Sequence, residues 1–135
     1  MFFPRAAYLS MKTGQIPAPS ADYAHRLIAL YDRDLAAYHR WARGARLLRV
    51  EATASSAAWI APGTCENRIG YWHLPGVRLV VAREHRVASV GVFSLISWAG
   101  RYYVVHLGPN PRPVNVGTLD APQLGPGRPG PPGGC

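Results

Sequence analysis

Long apolar runs are missing from this 135-residue chain. No stretch reaches the roughly 18 residues that a bilayer-spanning helix needs, which excludes an integral helical membrane protein. Cysteine is scarce. Cys65 and Cys135 are the only two, too few for a zinc ribbon or a disulfide-dense scaffold. Lysine is scarcer still: of 15 basic residues only Lys12 is lysine, and the rest are arginine. Acidic residues number 7, which leaves a formal net charge of +8. The chain has no glycine-rich phosphate loop, no His-Glu-x-x-His pair and no Gly-x-Ser-x-Gly elbow. Those gaps set aside the enzymes recognised by such motifs.

What is present reads as one globular domain. The length suits a single domain, and 48% hydrophobic against 16% charged residues excludes a disordered or fibrous chain. The Arg, Ala, Gly and Pro content shares G/C-rich codons, so a high-GC genome accounts for much of the basic bias. The arginines are spread along the chain rather than clustered on one element. They read as a solvated surface rather than a nucleic-acid face, so no nucleic-acid partner is expected.

Three zones follow one another. Residues 1–19 hold Pro4, Pro17 and Pro19 with no sustained period and read as an irregular lead-in. Residues 20–108 carry the periodic pattern. Residues 109–135 contain 8 Pro and 6 Gly and read as an extended tail. Within the middle zone, Tyr23, Leu27, Leu30, Tyr31, Leu35, Tyr38, Trp41 and Ala42 recur at three- and four-residue spacing, predicting a helix from about Ala21 to Arg43. Ser20 is its expected N-cap, and Gly44 its left-handed stop. Strands are expected at Arg46–Thr53, Asn67–Leu74, Val77–Ala82, Arg86–Trp98 and Arg101–Leu107. The expected turns are Pro75-Gly76, Arg83-Glu84-His85 and Ala99-Gly100. Ala54–Thr64 reads as a loop, and Gly91 as a bulge or bend. Short turns make neighbouring strands antiparallel. The fold class is therefore α+β: one long N-terminal helix laid on a curved antiparallel sheet of four or five strands.

A helix followed by a curved sheet resembles the cystatin-like and nuclear-transport-factor-like cone folds. The segment FSLISWAGRYYVVHLG resembles the final hairpin of such domains. The stretch GTCENRIGYWHLPG, the SLISW hairpin and the Pro/Gly tail also resemble small exported proteins of high-GC actinobacteria. That resemblance implies an extracellular or envelope location and carries over no catalytic residue. A Cys65–Cys135 disulfide would pin the tail to the body and suits an oxidising compartment; two unrelated thiols, or pairing between molecules, are the alternatives. The start Met1-Phe2-Phe3-Pro4-Arg5 is not a secretory signal. An exported chain would need a leader upstream of Met1, and otherwise the protein would be cytoplasmic.

Candidate chemistry is sparse. His25 and His39 are too far apart for one ion, and no Cys/His/Asp spacing marks a metal site, so neither metal nor other cofactor is expected. Glu66, Arg68, His73 and His106, in a basic α+β domain, make it similar to the small secreted bacterial ribonucleases. The resemblance would give Glu66 the 2′-hydroxyl proton, His106 the leaving oxygen and Arg68 the phosphate. Alternation puts His73 on the opposite face from Glu66 and Arg68. Ser94 or Ser97 with His106 and Asp120 forms a possible triad, but nothing marks either serine as a nucleophile. The aromatics say more. Between helix and sheet, Tyr71, Trp72, Phe93, Trp98 and Tyr103 are the candidate lining of an apolar pocket, although Tyr71 and Trp72 cannot both face inward. The function expected is a non-catalytic, extracytoplasmic domain that binds a small apolar ligand or a partner protein. The alternatives are the Glu66/Arg68/His106 hydrolase and a purely structural envelope domain.

Overall fold

The computed structural model of the chain describes residues 1–12 and 14–108. The expected tail, with Asp120 and Cys135, lies outside the described residues, and so does the Cys65–Cys135 pairing. Among the described residues, two helices and five strands follow in chain order. They are α1 (Arg5–Met11), α2 (residues 19–42), β1 (Arg46–Glu51), β2 (Ala58–Ile60), β3 (Tyr71–Arg83), β4 (Arg86–Trp98) and β5 (Arg101–His106). The class is α+β, and the antiparallel sheet runs β1-β3-β4-β5 with β2 also paired to β3.

The long helix forms where its apolar stripe predicts, but it is not the first element. Pro19 occupies its first turn and Ala18 its N-cap, with no side-chain cap bond. Proline suits that turn because the N–H it lacks would have no partner. Ser20, the expected cap, lies inside the turn and accepts a hydrogen bond from Arg5 Nη2 at 2.8 Å. A π-helical turn spans Tyr23–Ile28. Gly44 takes φ +73° just past the helix, the left-handed conformation glycine adopts without a Cβ penalty.

The supposed irregular lead-in is structured. Residues 5–11 form α1, and Phe2 makes a parallel bridge to Val104 on β5. Phe3 N–H donates to the Val104 carbonyl at 3.0 Å, and Val104 N–H to the Met1 carbonyl at 3.0 Å. These bonds fasten the N-terminus to the edge of the sheet. Phe3, Ala7, Tyr8 and Met11 then join Tyr23, Leu27, Tyr71, Ile96 and Tyr103 in one core cluster. A second cluster gathers Tyr38, Val77, Val90, Val92 and Leu107, with Tyr31, Leu35 and Trp41 of α2 packed against it.

Three expectations about the strands are corrected. Pro75-Gly76 does not turn the chain back: β3 continues through it, with Pro75 opposite Ser94 and Val77 opposite Val92, although Gly76 takes φ +70°. On the other edge of β3, β2 pairs with residues 71–73 and β1 with 78–82. Pro75 falls in the gap, where its missing N–H breaks no ladder bond on that edge. Part of the expected loop is β2. Gly91 pairs regularly with Arg78, and the irregularity falls instead between Ser94 and Leu95, on the β5 side. The two tight turns hold: Glu84-His85 and Ala99-Gly100 all take positive φ, matching the right-handed twist of hairpin strands.

Candidate functional site

A cavity of about 240 Å³ opens between α1, the first half of α2 and the sheet. Its apolar wall comes from Phe3, Met11, Leu27, Leu30, Tyr71, Ile96 and Val105. Its polar groups are Tyr8, Lys12, Asp22, Arg26, Glu66, Asn67, Ser94 and His106. Register explains the sheet wall. Residues directly opposite share a face, as do residues two apart. His73 lies opposite Ile96, and Ile96 opposite Tyr103, so Tyr71, His73, Ser94, Ile96 and Tyr103 share one face. Strict alternation would keep either Val105 or His106 out of the cavity. The register shift at Ser94/Leu95 lets both line it.

The mouth is built by pinning the loop before β3 to the end of α1. Arg68 N–H donates to the Met11 carbonyl at 2.8 Å, Arg68 Nε donates to the Ser10 carbonyl at 2.6 Å, and Lys12 bridges Asn67. Gly63 turns this loop with φ +88°, and its N–H donates to the Asn67 carbonyl at 2.6 Å. Glu66 itself takes φ +54°, an uncommon backbone for a residue with a Cβ. The result brings Lys12 Nζ to 3.9 Å from Glu66 Oε2.

Burial and charge set the state of these groups. The Lys12 side chain is 14% exposed. Burial holds its ammonium below the usual lysine range, while Glu66 and Asp22 pull it back up. Its Nζ stands 5.4 Å from the centroid of the Tyr8 ring. Tyr8 donates to the Asp22 carboxylate. Burial and that carboxylate raise the phenol far above its ordinary value. Asp22 also meets Arg26 at 3.4 Å, one helical turn along. Behind the cavity, His73 Nε2 and Ser94 Oγ lie 2.9 Å apart, both residues buried. Burial depresses the His73 pKa, so the ring is neutral at pH 7.

Of the five aromatic candidates, Tyr71 lines the cavity. Tyr103 is buried in the adjoining core, and Trp98 packs against it. Phe93 is buried but alternates with Ser94 and faces away. Trp72 also faces away. It pairs with Trp59 in an exposed T-shaped contact, ring centroids 5.5 Å apart, and its backbone N–H donates to Ser97 Oγ at 2.9 Å. Of the ribonuclease-like trio, Glu66 and His106 line the one cavity, while the guanidinium of Arg68 is drawn to Ser10. Glu66 sits in a 3₁₀ turn at residues 64–66 rather than on a strand, so no strand face orders these groups. Ser94 lies opposite His106. Among the described residues, no three His, Cys, Asp or Glu side chains cluster as metal ligands would.

Sequence reasoning missed Tyr8, Asn67 and Lys12 as cavity residues. Only Lys12 carried a signal, as the single lysine among fourteen arginines. No family model, curated protein or solved structure matches this chain.

Proposed function

We propose that this chain is a non-catalytic, extracytoplasmic domain that binds a small apolar ligand in the cavity between its helices and sheet. The observation that carries this reading is the cavity itself, where apolar side chains such as Phe3, Met11, Leu27 and Ile96 share the lining with eight polar residues. Such a mixed lining suits a ligand with an apolar body and a polar end. A volume of about 240 Å³ lies just under the range of roughly 300–1,000 Å³ for drug-sized ligands. The occupant is therefore a single ring or a short chain. The same reading takes helix and sheet as a cone of the cystatin-like or nuclear-transport-factor-like kind. The resemblance to small exported actinobacterial proteins supports the extracytoplasmic part of this reading.

The test uses p-cresol, a single ring with one hydroxyl. At about ten times its Kd it would stabilise the fold by about 1.4 kcal/mol, or about 5 °C in Tm. NMR amide shifts should centre on Met11, Leu27, Asn67 and Ile96. Ile96→Trp, which fills the cavity, should abolish both effects. Shifts scattered over the surface, or undiminished binding by Ile96→Trp, would overturn the reading.

A further inference from the structure

We propose that Lys12 is a covalent anchor in this cavity, capturing the carbonyl group of a small aldehyde or ketone as a Schiff base. The inference rests on the binding reading above and names the ligand class. Every other basic side chain in this protein is arginine. Guanidinium stays charged and forms no imine, whereas a lysine amine is a nucleophile once neutral. The single lysine stands at the cavity wall, 14% exposed, beside Glu66 and the Tyr8 ring. Its contact with the half-exposed Glu66 carboxylate, at 3.9 Å, is one that arginine would also make.

Burial favours the neutral amine. Of the charged groups facing it, Glu66 and Asp22 favour the ammonium, and Arg26 opposes it. In the reaction the amine nitrogen attacks the carbonyl carbon, forming a C–N bond as the C=O π pair moves to oxygen. Glu66, within one water's reach, accepts the proton lost from nitrogen and returns it to the oxygen. The carbinolamine then expels water and leaves the imine. Amine and carbonyl give imine and water, with no change of oxidation state. The apolar wall holds the body of the ligand against Met11, Leu27 and Ile96.

The full chain is incubated near pH 7 with benzaldehyde and sodium cyanoborohydride, which delivers hydride to the imine carbon and fixes a benzyl group on nitrogen. Intact mass counts the adducts and peptide mapping places them. The exposed Met1 α-amine serves as an internal reference and Nα-acetyl-lysine methylamide as an external one. Lys12 should label measurably faster than the free lysine, because burial favours its neutral amine. Lys12→Arg should leave the Met1 adduct alone, with Lys12→Met as a second variant if the first disturbs folding. Ile96→Trp should return Lys12 to the free-lysine rate. Label on Met1 alone, a Lys12 rate equal to free lysine, or a fast rate that survives in Ile96→Trp would each overturn the inference. p-Cresol binding on the same sample separates the two readings: binding without Lys12 labelling keeps the pocket and removes its amine chemistry.

Discussion

His73 shows how far a single residue's chemistry is set by the chain around it. In water its ring would titrate near pH 6.5, but burial beside Ser94 lowers that value in the fold. The unfolded chain therefore binds a proton that the folded one refuses. Its contribution to stability is complete above about pH 6.5 and falls as pH drops through the window down to the folded pKa, by at most about 1.4 kcal/mol per pH unit. Urea denaturation between about pH 5 and 7 should show that slope, and His73→Asn should flatten it. An unchanged slope in the variant would assign the effect to other groups. Gly70 is a second case of context. A Cβ there would stand 2.3 Å from Trp59 Cζ2 and 3.0 Å from the Ile60 carbonyl oxygen, so the indole lies where only glycine leaves room.

At the scale of elements, the join between α2 and the sheet turns on one hydroxyl. Tyr38 donates to the Gly91 carbonyl on β4, with the Leu107 carbonyl just past β5 at 3.1 Å. Both contacts are buried. Asp34, one turn earlier and fully buried, accepts from Gly108 N–H at 2.9 Å. The helix thus grips the end of β5 at two points. Tyr38→Phe keeps the ring and removes the hydroxyl, leaving buried carbonyls without that donor. The expected loss is about 1–3 kcal/mol, read as a lower urea midpoint at unchanged m-value. A midpoint within error of the parent would mean that ring packing alone holds the join.

Across the whole molecule, the N-terminal dozen residues close one end of the core and one side of the cavity. Phe3 packs edge-on against Tyr103 and Trp98, with centroids 6.0 Å and 6.5 Å apart. Its carbonyl accepts from the Tyr23 hydroxyl at 2.7 Å. Phe3→Ala should cost about 3–5 kcal/mol, a large share of the roughly 5–15 kcal/mol typical of a domain. It should also lower p-cresol affinity, since Phe3 lines the cavity. A melting temperature equal to the parent's would show that the segment rests on the fold without supporting it.

Periodicity was enough for the long helix, its left-handed stop at Gly44, the last two strands, the places of the two tight turns, and the α+β class. Each depends on residues close in sequence: a stripe at 3.6 spacing, alternation at 2, or positive φ at a turn. Local rules failed where a distant partner decided. Pro75-Gly76 reads as a turn in isolation, and it is strand because neither β1 nor β2 reaches Pro75 on the open edge of β3. Residues 5–11 carry too short a pattern to announce a helix, and they form one against the face of Tyr71, Ile96 and Tyr103. The candidate site divides the same way. Composition marked Lys12 as the single lysine without placing it in a site, and alternation alone placed Tyr71 and Trp72 on opposite faces. That Lys12 meets Glu66, and that Ser94 meets both His73 and His106, depends on strand register and on the loop pinned to α1. Those contacts join residues 12 to 54 positions apart, and only the tertiary structure closes such distances.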